Sequence, residues 1–364
     1  MSQSLTPKQL SRDLAVRDLT DPAEGPHAIQ LVAERAVTAL TELWNCEVRW
    51  RRGRRIVPIE DNYDNLGYAG ADVTRDARYT RYVDEHRMLR SHSTALIPSA
   101  LRELSAHPSA DVLLVCPGIV YRRDSVDRLH TGTPHQVDLW RLRRGTLTEH
   151  DLAAMITAVL KALVPGTSEL RSPRVHPYTT SGLQVDADGI EILECGLAHP
   201  AVLARAGLDG SWSGLAMGLG LDRILMLLKD IPDIRLLRSG SRMTDLTPYR
   251  PVSPMPAIRR DVSIAVDPGD LAEDLGDRVR TALGDDADCV ESVEILGETP
   301  CSALPPQALE RLGARPEQKN VLVKIVLRHL ARTLSDPEAN SLRDRVYAAL
   351  HQGSKEQPCR SKPS

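Results

Sequence analysis

At 364 residues, with 46 Lys plus Arg against 49 Asp plus Glu and a net charge of −3, the chain is long enough for two or three domains. That length excludes a lone small module and that balance a bulk polycation, so any polyanion site must be local. No run of about 18 apolar residues occurs and the opening MSQSLTPKQLSRD has no apolar stretch, so neither a membrane span nor a secretory signal is expected, and the chain reads as cytoplasmic.

Six cysteines (Cys46, Cys116, Cys195, Cys289, Cys301, Cys359) are scattered with no CxxC and no clustered His, which argues against a zinc site or a disulfide framework. One feature of the composition is anomalous. Phe is absent, where usage of about 2.5% would place roughly nine and chance would leave none only about once in 10⁴.

In chain order, residues 1–20 are mostly polar and read as a flexible arm. From His27 to Trp44 apolar residues recur at helical spacing (Ile29, Val32, Ala36, Val37, Leu40), which predicts an amphipathic helix. The following VRWRRGRRIV, five arginines around Gly53, reads as a hairpin with charged faces. Between Asp111 and Leu142, DVLLVCPGIVYRR and HQVDLWRL read as two strands flanking a long turn, and GIEILEC, from Gly189 to Cys195, as another strand. SGLAMGLGLDRILMLLKDI is a glycine-rich strand or turn feeding a buried helix. Strands and helices in no regular βαβ rhythm indicate an antiparallel α+β core over 21–238.

A stretch with four prolines marks a linker at 239–256, and a second domain is expected over 257–352, ahead of a polar tail at 353–364. Its pattern is strand (Asp261 to Val266), helix (Leu271 to Leu283), strand (Val290 to Leu296), strand (Asn320 to Leu330) and helix (Asp336 to Leu350). With one more short strand that order is a ferredoxin-like βαββαβ sandwich.

Four segments hold polar residues that a buried core would not choose. MLRSHSTAL offers Arg90, His92, Ser93 and Thr94 just before an apolar helix; alone it is no more than an N-cap. YRRDSVDRLHTGTPHQVD ends one strand in Arg122, Arg123 and Asp124 and opens the next with His135, Gln136 and Asp138, a set suited to a phosphate beside a cationic amine. In GIEILECG, Glu191 is placed to face a divalent cation or simply solvent. GLGLDR lets backbone approach a flat ligand at Gly218 and Gly220 and sets Arg223 at a helix start, where it can clamp phosphate.

Taken together, these segments resemble the class II aminoacyl-tRNA synthetase core, and within it the phenylalanyl-tRNA synthetase family: LRSHSTAL, YRRDSVDRLHTGTPHQVD, RVHPYT, ECGLAHPAVL and SGLAMGLGLDRI follow that family's motifs in order. PAIRRDVSI to RTLSDPEANSLRDRVYAAL resembles its ferredoxin-fold anticodon-binding module, as in the single-chain organellar type. The resemblance implies an α+β class II antiparallel sheet with flanking helices and an ATP- and Mg²⁺-dependent ligase that activates an aromatic amino acid and charges tRNA, as a monomer or homodimer. It implies further that Arg122 and Arg223 are catalytic and hold the triphosphate, that His130, Pro134 and Gly220 line the ATP pocket, and that Glu191 carries Mg²⁺. His92, Thr94, Asp124, Gln136 and Asp138 would hold the amino acid's ends, with His176, Tyr178 and Ala216 around its side chain.

Several positions depart from the family pattern. His176 and Tyr178 replace two apolar rings, Asp124 and Asp138 replace Glu, Pro134 replaces a stacking Phe and Glu194 replaces a Gly. The polar tips leave open a paralogue activating a non-standard aromatic amino acid, and the shortened carboxylates a silent RNA-binding relative. For tRNA, Arg259, Arg260, Lys324 and Arg328 are the candidate contacts, although residues 251–350 carry 12 Lys plus Arg against 17 Asp plus Glu.

Overall fold

The computed structural model describes residues 4–76, 80–123, 127–238, 243–249 and 255–354. They divide into two compact units, the first taking in residues up to Arg122 together with 133–232 and 237–249, the second 123–132, 233–236 and the chain from 250 onward.

In the first unit, α1 (Pro7–Ala15) and α2 (Ala28–Trp44) precede β1 (Glu47–Trp50), β2 (Ile56–Pro58), the single turn α3 (Ile59–Asn62) and β3 (Arg87–Leu89). Then come α4 (Ile97–Ala106), β4 (Asp111–Ile119), β5 (His135–Arg144), α5 (Glu149–Leu163), β6 (Glu169–Pro173), β7 (Thr179–Ala187), β8 (Ile190–Ala198), α6 (Pro200–Arg205), β9 (Trp212–Gly220) and α7 (Leu221–Lys229). Seven strands form one sheet in the order β1-β4-β5-β9-β8-β7-β6. All its pairings are antiparallel except the β1–β4 edge, which is parallel. Strand β4 is buried along nearly its whole length, which is why DVLLVCPGI carries no alternation.

Helix α2 starts where His27 accepts the Ile29 N–H through Nδ1 at 3.2 Å, and ends at Asn45, whose φ of 49° is left-handed. Its buried stripe, Ile29, Val32, Ala33, Ala36, Val37 and Leu40, follows the helical period, and the helix packs on α5 and α7.

The arginine-rich segment is not a hairpin. β1 joins the large sheet through β4, while β2 pairs with β3 in a separate two-stranded sheet. Between them Gly53 passes so close to Leu96 that a Cβ there would lie 2.3 Å from Cδ2, and its carbonyl accepts from Arg90. The arginines are consumed by the chain itself: Arg52 donates to the Thr20 carbonyl at 2.6 Å, and Arg55 to the carbonyls of Leu14 and Val16 and to Glu24.

Nor are residues 4–20 a free arm. Leu5, Leu10 and Val16 pack against buried Leu89, Ile119 and Tyr121, and Asp18 accepts the Ile119 N–H at 3.1 Å. Asp13 meets Arg81 at 2.7 Å, with both side chains under a tenth exposed. Removing one partner of a buried pair strands the other charge, so Asp13→Ala should lower stability by about 3–5 kcal/mol, read as a fall in the urea midpoint at unchanged slope. Of the expected linker, 239–242 and 250–254 lie outside the described residues, while 243–249 belongs to the first unit, held by buried Lys229 through the carbonyls of Asp245 (2.9 Å) and Thr247 (2.6 Å).

The second unit contains β10 (Ile258–Val266), α8 (Ala272–Leu283), β11 (Val290–Pro300), the short α9 (Pro306–Leu312), β12 (Lys319–Leu327) and α10 (Asp336–Leu350). The antiparallel sheet runs β10-β12-β11. Val262, Ile264, Val266, Val321, Val323 and Ile325 alternate into a core shared with Leu275 and Val279 of α8 and Ala339 and Val346 of α10. Five elements of the expected six are in sequence order. A final strand is absent among the described residues; instead Gln352 donates its N–H to the Ala265 carbonyl at 2.8 Å, on the open edge of β10.

Candidate active site

The site is built on β5, β9 and β8. Register sets Gln136 beside Gly220, Asp138 beside Gly218 and Trp140 beside Ala216, and on the other side of β9 places Glu194 beside Gly218. Because alternate residues share a sheet face, these side chains stand in one layer over a floor with almost no side chains of its own. A Cβ on Gly218 would meet only Asp138 Oδ2, at 3.8 Å, and one on Gly220 only the Ile192 carbonyl, at 3.7 Å.

Asp138 is the buried polar end of this layer. It accepts from Ser93 Oγ (2.6 Å), Thr94 Oγ1 (3.1 Å) and Trp140 Nε1 (3.1 Å). Burial outweighs these three donors and pushes its carboxyl up to about 6. Gln136 Oε1 accepts the Ser93 N–H at 3.3 Å, so the turn carrying His92, Ser93 and Thr94 is fastened to β5 at two points.

Above the floor lies a cluster of rings. Tyr68 stacks on His92 (centroids 5.9 Å) and approaches Tyr178 (6.3 Å), which in turn lies 6.2 Å from Trp140 and stacks on His176 at 5.1 Å. Burial, helped by the Arg122 charge, holds His92 at about 3, so its ring is neutral at pH 7. Its Nε2 faces Asn62 Nδ2 at 3.4 Å, while its buried Nδ1 has no hydrogen-bond partner among the described residues. Burial also raises the Tyr178 phenol well above its ordinary value, with Tyr68, Asp138 and Glu194 adding to the rise.

One wall of the cluster is charged. His176 Nε2 lies 3.0 Å from Glu194 Oε2, near enough for an ion pair but misaligned for a hydrogen bond, and Arg174 Nε lies 2.8 Å from the other oxygen. Burial would raise Glu194, but contact with His176 and the charges of His176, Arg174 and Arg122 bring it below the ordinary carboxylate range.

The cationic groups expected at the phosphates are also in this unit. Arg122 donates from Nε to the Ser91 carbonyl at 2.8 Å, one residue from His92. Arg223, in the first turn of α7, donates to the Glu191 carbonyl at 3.2 Å and lies 3.3 Å from its carboxylate. Pro134 accepts the Val120 N–H at 2.8 Å, where β4 and β5 leave the sheet. Asp124 lies outside the described residues. His130 belongs to the second unit, where its Nδ1 meets Asp127 at 2.7 Å. No group of three or more His, Cys, Asp or Glu able to hold a metal is present among the described residues.

A family model for the tRNA synthetases class II core domain (F) matches residues 15–246, well over half of the chain. The chain belongs to the class II tRNA synthetases. It is 28% identical over 366 residues to a Drosophila melanogaster protein named probable phenylalanine–tRNA ligase, mitochondrial, a match covering 81% of this chain and 75% of that one. It is also similar to phenylalanine–tRNA ligase alpha subunits of Leptospira biflexa (31% identity; 52% of this chain, 59% of the relative) and Prochlorococcus marinus (32%; 60% and 66%). The chain thus spans about three fifths to two thirds of those subunits' length. The mitochondrial name of the Drosophila relative leaves the cytoplasmic expectation without support, and no described helix is long and apolar enough to cross a membrane.

Of the residues named from the motifs, His92, Thr94, Gln136, Asp138, His176, Tyr178 and Ala216 lie in or beside one layer. Tyr68, Asn62 and Trp140 had been missed. Trp140 was findable, being two residues from Asp138 and so on its face; Tyr68 and Asn62 come from a segment with no motif.

The four basic residues named for tRNA do not share a face. Lys324 pairs with Glu294 at 2.5 Å on β12, whereas Arg260 turns to α10 and bonds Asn340 (2.9 Å) and Asp336 (2.5 Å). Arg328 is held by Glu291 (2.5 Å) and the Met255 carbonyl (2.6 Å), and Arg259 is exposed on β10.

Proposed function

We propose that this chain is an ATP-dependent ligase that activates phenylalanine as its adenylate and transfers it to tRNA. The observation that carries the reading is a cluster of rings, Tyr68, Tyr178 and Trp140, with buried Asp138 at one end and Arg122 fastened to the Ser91 carbonyl next to His92. An aromatic amino acid would place its side chain among Tyr68, Tyr178 and Trp140 over Ala216 and its ammonium toward Asp138 and Gln136. Asp124 would add a second carboxylate by motif position. His92, whose Nε2 receives Asn62, presents Nδ1–H to the carboxylate end.

In that pose the substrate carboxylate attacks the ATP α-phosphorus in line, and pyrophosphate leaves. Arg122 would stabilise the charge growing on the α-phosphate and Arg223 the leaving end, while Gly220 lets the nucleotide lie against backbone and Pro134 borders the base by motif position. Mg²⁺ would neutralise the phosphates; a lone carboxylate, Glu191, suits an ion held mainly by phosphate oxygens and water, and not a protein-only cage. A tRNA 3′-end hydroxyl then displaces AMP from the adenylate. The second unit is read as the ferredoxin-like anticodon-binding module, with Arg259, Arg260, Lys324 and Arg328 as contacts, the carboxylate partners being exchanged for phosphates. The alpha-subunit names belong to relatives matched over 52% and 60% of this chain, whereas the relative matched over 81% carries no subunit name, which supports the monomer or homodimer read from sequence.

ATP–pyrophosphate exchange across the aromatic amino acids, without tRNA, tests the reading; exchange with Phe is expected, and none with any of them overturns it.

The charged wall favours a second reading, a ring bearing a hydroxyl or amine. A pocket built to bond a polar substituent rejects the ligand that lacks it. Glu194→Gly, which frees His176, should move the Phe preference over the ring-hydroxylated amino acid by about 10- to 100-fold in kcat/KM.

A further inference from the structure

The fold needs buried rings, and it never uses the simplest one. Tyr63, Tyr82, Tyr121 and Tyr347 are all less than a tenth exposed, positions where a phenyl ring would require nothing but apolar neighbours. Each hydroxyl instead needs a partner, since a buried unmet one costs about 1–3 kcal/mol. Tyr63 donates to the Thr74 carbonyl at 2.8 Å and meets Thr80 at 2.5 Å; Tyr82 donates to the Arg75 carbonyl at 2.5 Å; Tyr121 accepts from Arg55 at 3.5 Å. Two tryptophans are buried as well, Trp140 bonded to Asp138 and Trp212 under the Arg144 guanidinium. At 3% aromatic overall, the chain still buries tyrosine and tryptophan rings and gives the Tyr63, Tyr82 and Tyr121 hydroxyls polar partners, while holding no Phe in 364 residues. Neither packing nor a shortage of aromatic positions explains the zero.

We propose that the absence of Phe makes synthesis of this ligase independent of its own product, so that it restores charged phenylalanyl-tRNA after the supply has failed. The inference rests on the proposed activity. A ligase containing the amino acid it loads cannot be translated when the cognate tRNA is uncharged, and the deficit then sustains itself. A chain free of that residue is read to its end in the same conditions, and every copy made raises the charged pool.

The test is a reconstituted translation mix with tRNA, Phe and every ligase except the phenylalanine one, programmed with a Phe-containing luciferase and a template for this chain. Wild type is compared with Tyr82→Phe/Tyr347→Phe, positions with no part in the proposed site, after the purified variant has been shown to match wild type in pyrophosphate exchange. The expected result is full-length chain followed, after a lag, by luciferase from the wild-type template, with loss of both from the variant template. Equal luciferase from the two templates would overturn the proposal, as would its absence from the wild-type template when added purified protein does restore it. Failure of the purified protein itself would overturn the proposed activity and this inference together.

Discussion

Asp138→Asn should make the protein more stable above pH 6 while removing most of its activity. In the folded state burial sets this carboxyl at about 6, above its ordinary 3.8, so the native state holds the proton more tightly than the unfolded chain. Stability therefore falls as pH rises between those values and stays lower above them, by about 3 kcal/mol for a shift of about two units. Asn carries no such penalty and its carbonyl still accepts from Trp140, so denaturant melts should show the variant gaining on wild type from pH 4 to 6 and holding the difference thereafter. Activity moves the other way. Removing one partner of a buried charged hydrogen bond costs about 2–5 kcal/mol, so kcat/KM for the amino acid should fall by about 10²–10³-fold. In wild type kcat/KM should also drop below an apparent pKa near 6, a limb that the variant lacks. A variant that loses stability at pH 8 and keeps its exchange rate would remove Asp138 from the ammonium site.

The second large effect is expected at Arg122. Substitution by Ala should lower Phe-dependent pyrophosphate exchange by about 10²–10³-fold, mostly in kcat, because in the proposed role the group acts on charge that develops at the α-phosphate. Arg122→Lys should recover little. The guanidinium uses Nε to hold the Ser91 carbonyl, and a single ammonium cannot occupy that bond and face a phosphate as a plane of donors. Urea melts separate this from unfolding, since an intact fold with lost exchange is the expected pair of results. Wild-type exchange in the Lys variant would mean that a point charge suffices there.

The legible parts of this chain were those whose signal is local. Helix α2 announces itself through the spacing of Ile29, Val32, Ala36 and Leu40, and β9 running into α7 through its glycines and apolar run. The hairpin reading of VRWRRGRRIV failed because the partner of β1 is β4, more than sixty residues on, and a strand's partner is written in no short window. The flexible arm failed for a related reason. Asp13 and Asp18 look like solvent-facing residues, yet both are buried, where they accept from Arg81 and from the Ile119 N–H. Arg52 and Arg55 likewise spend their charge on backbone carbonyls, a use that composition cannot distinguish from an open basic face. Site chemistry was carried by motif spacing for His92, Gln136 and Asp138, whereas Tyr68 and Asn62 arrive from a segment whose only qualification is where the fold puts it.

The bare floor at Gly218 bears on how such a pocket changes its clientele. Most pockets are resized by recutting a side chain that also holds neighbours in place, and stability suffers with each attempt. Here one methyl can be added at Gly218 against nothing nearer than a carboxylate oxygen at 3.8 Å, on backbone that is not left-handed. Shallower variants are thus within a single codon change and leave the surrounding framework untouched. Under the proposed function, a toxic mimic slightly bulkier than phenylalanine would meet a site only one substitution from excluding it.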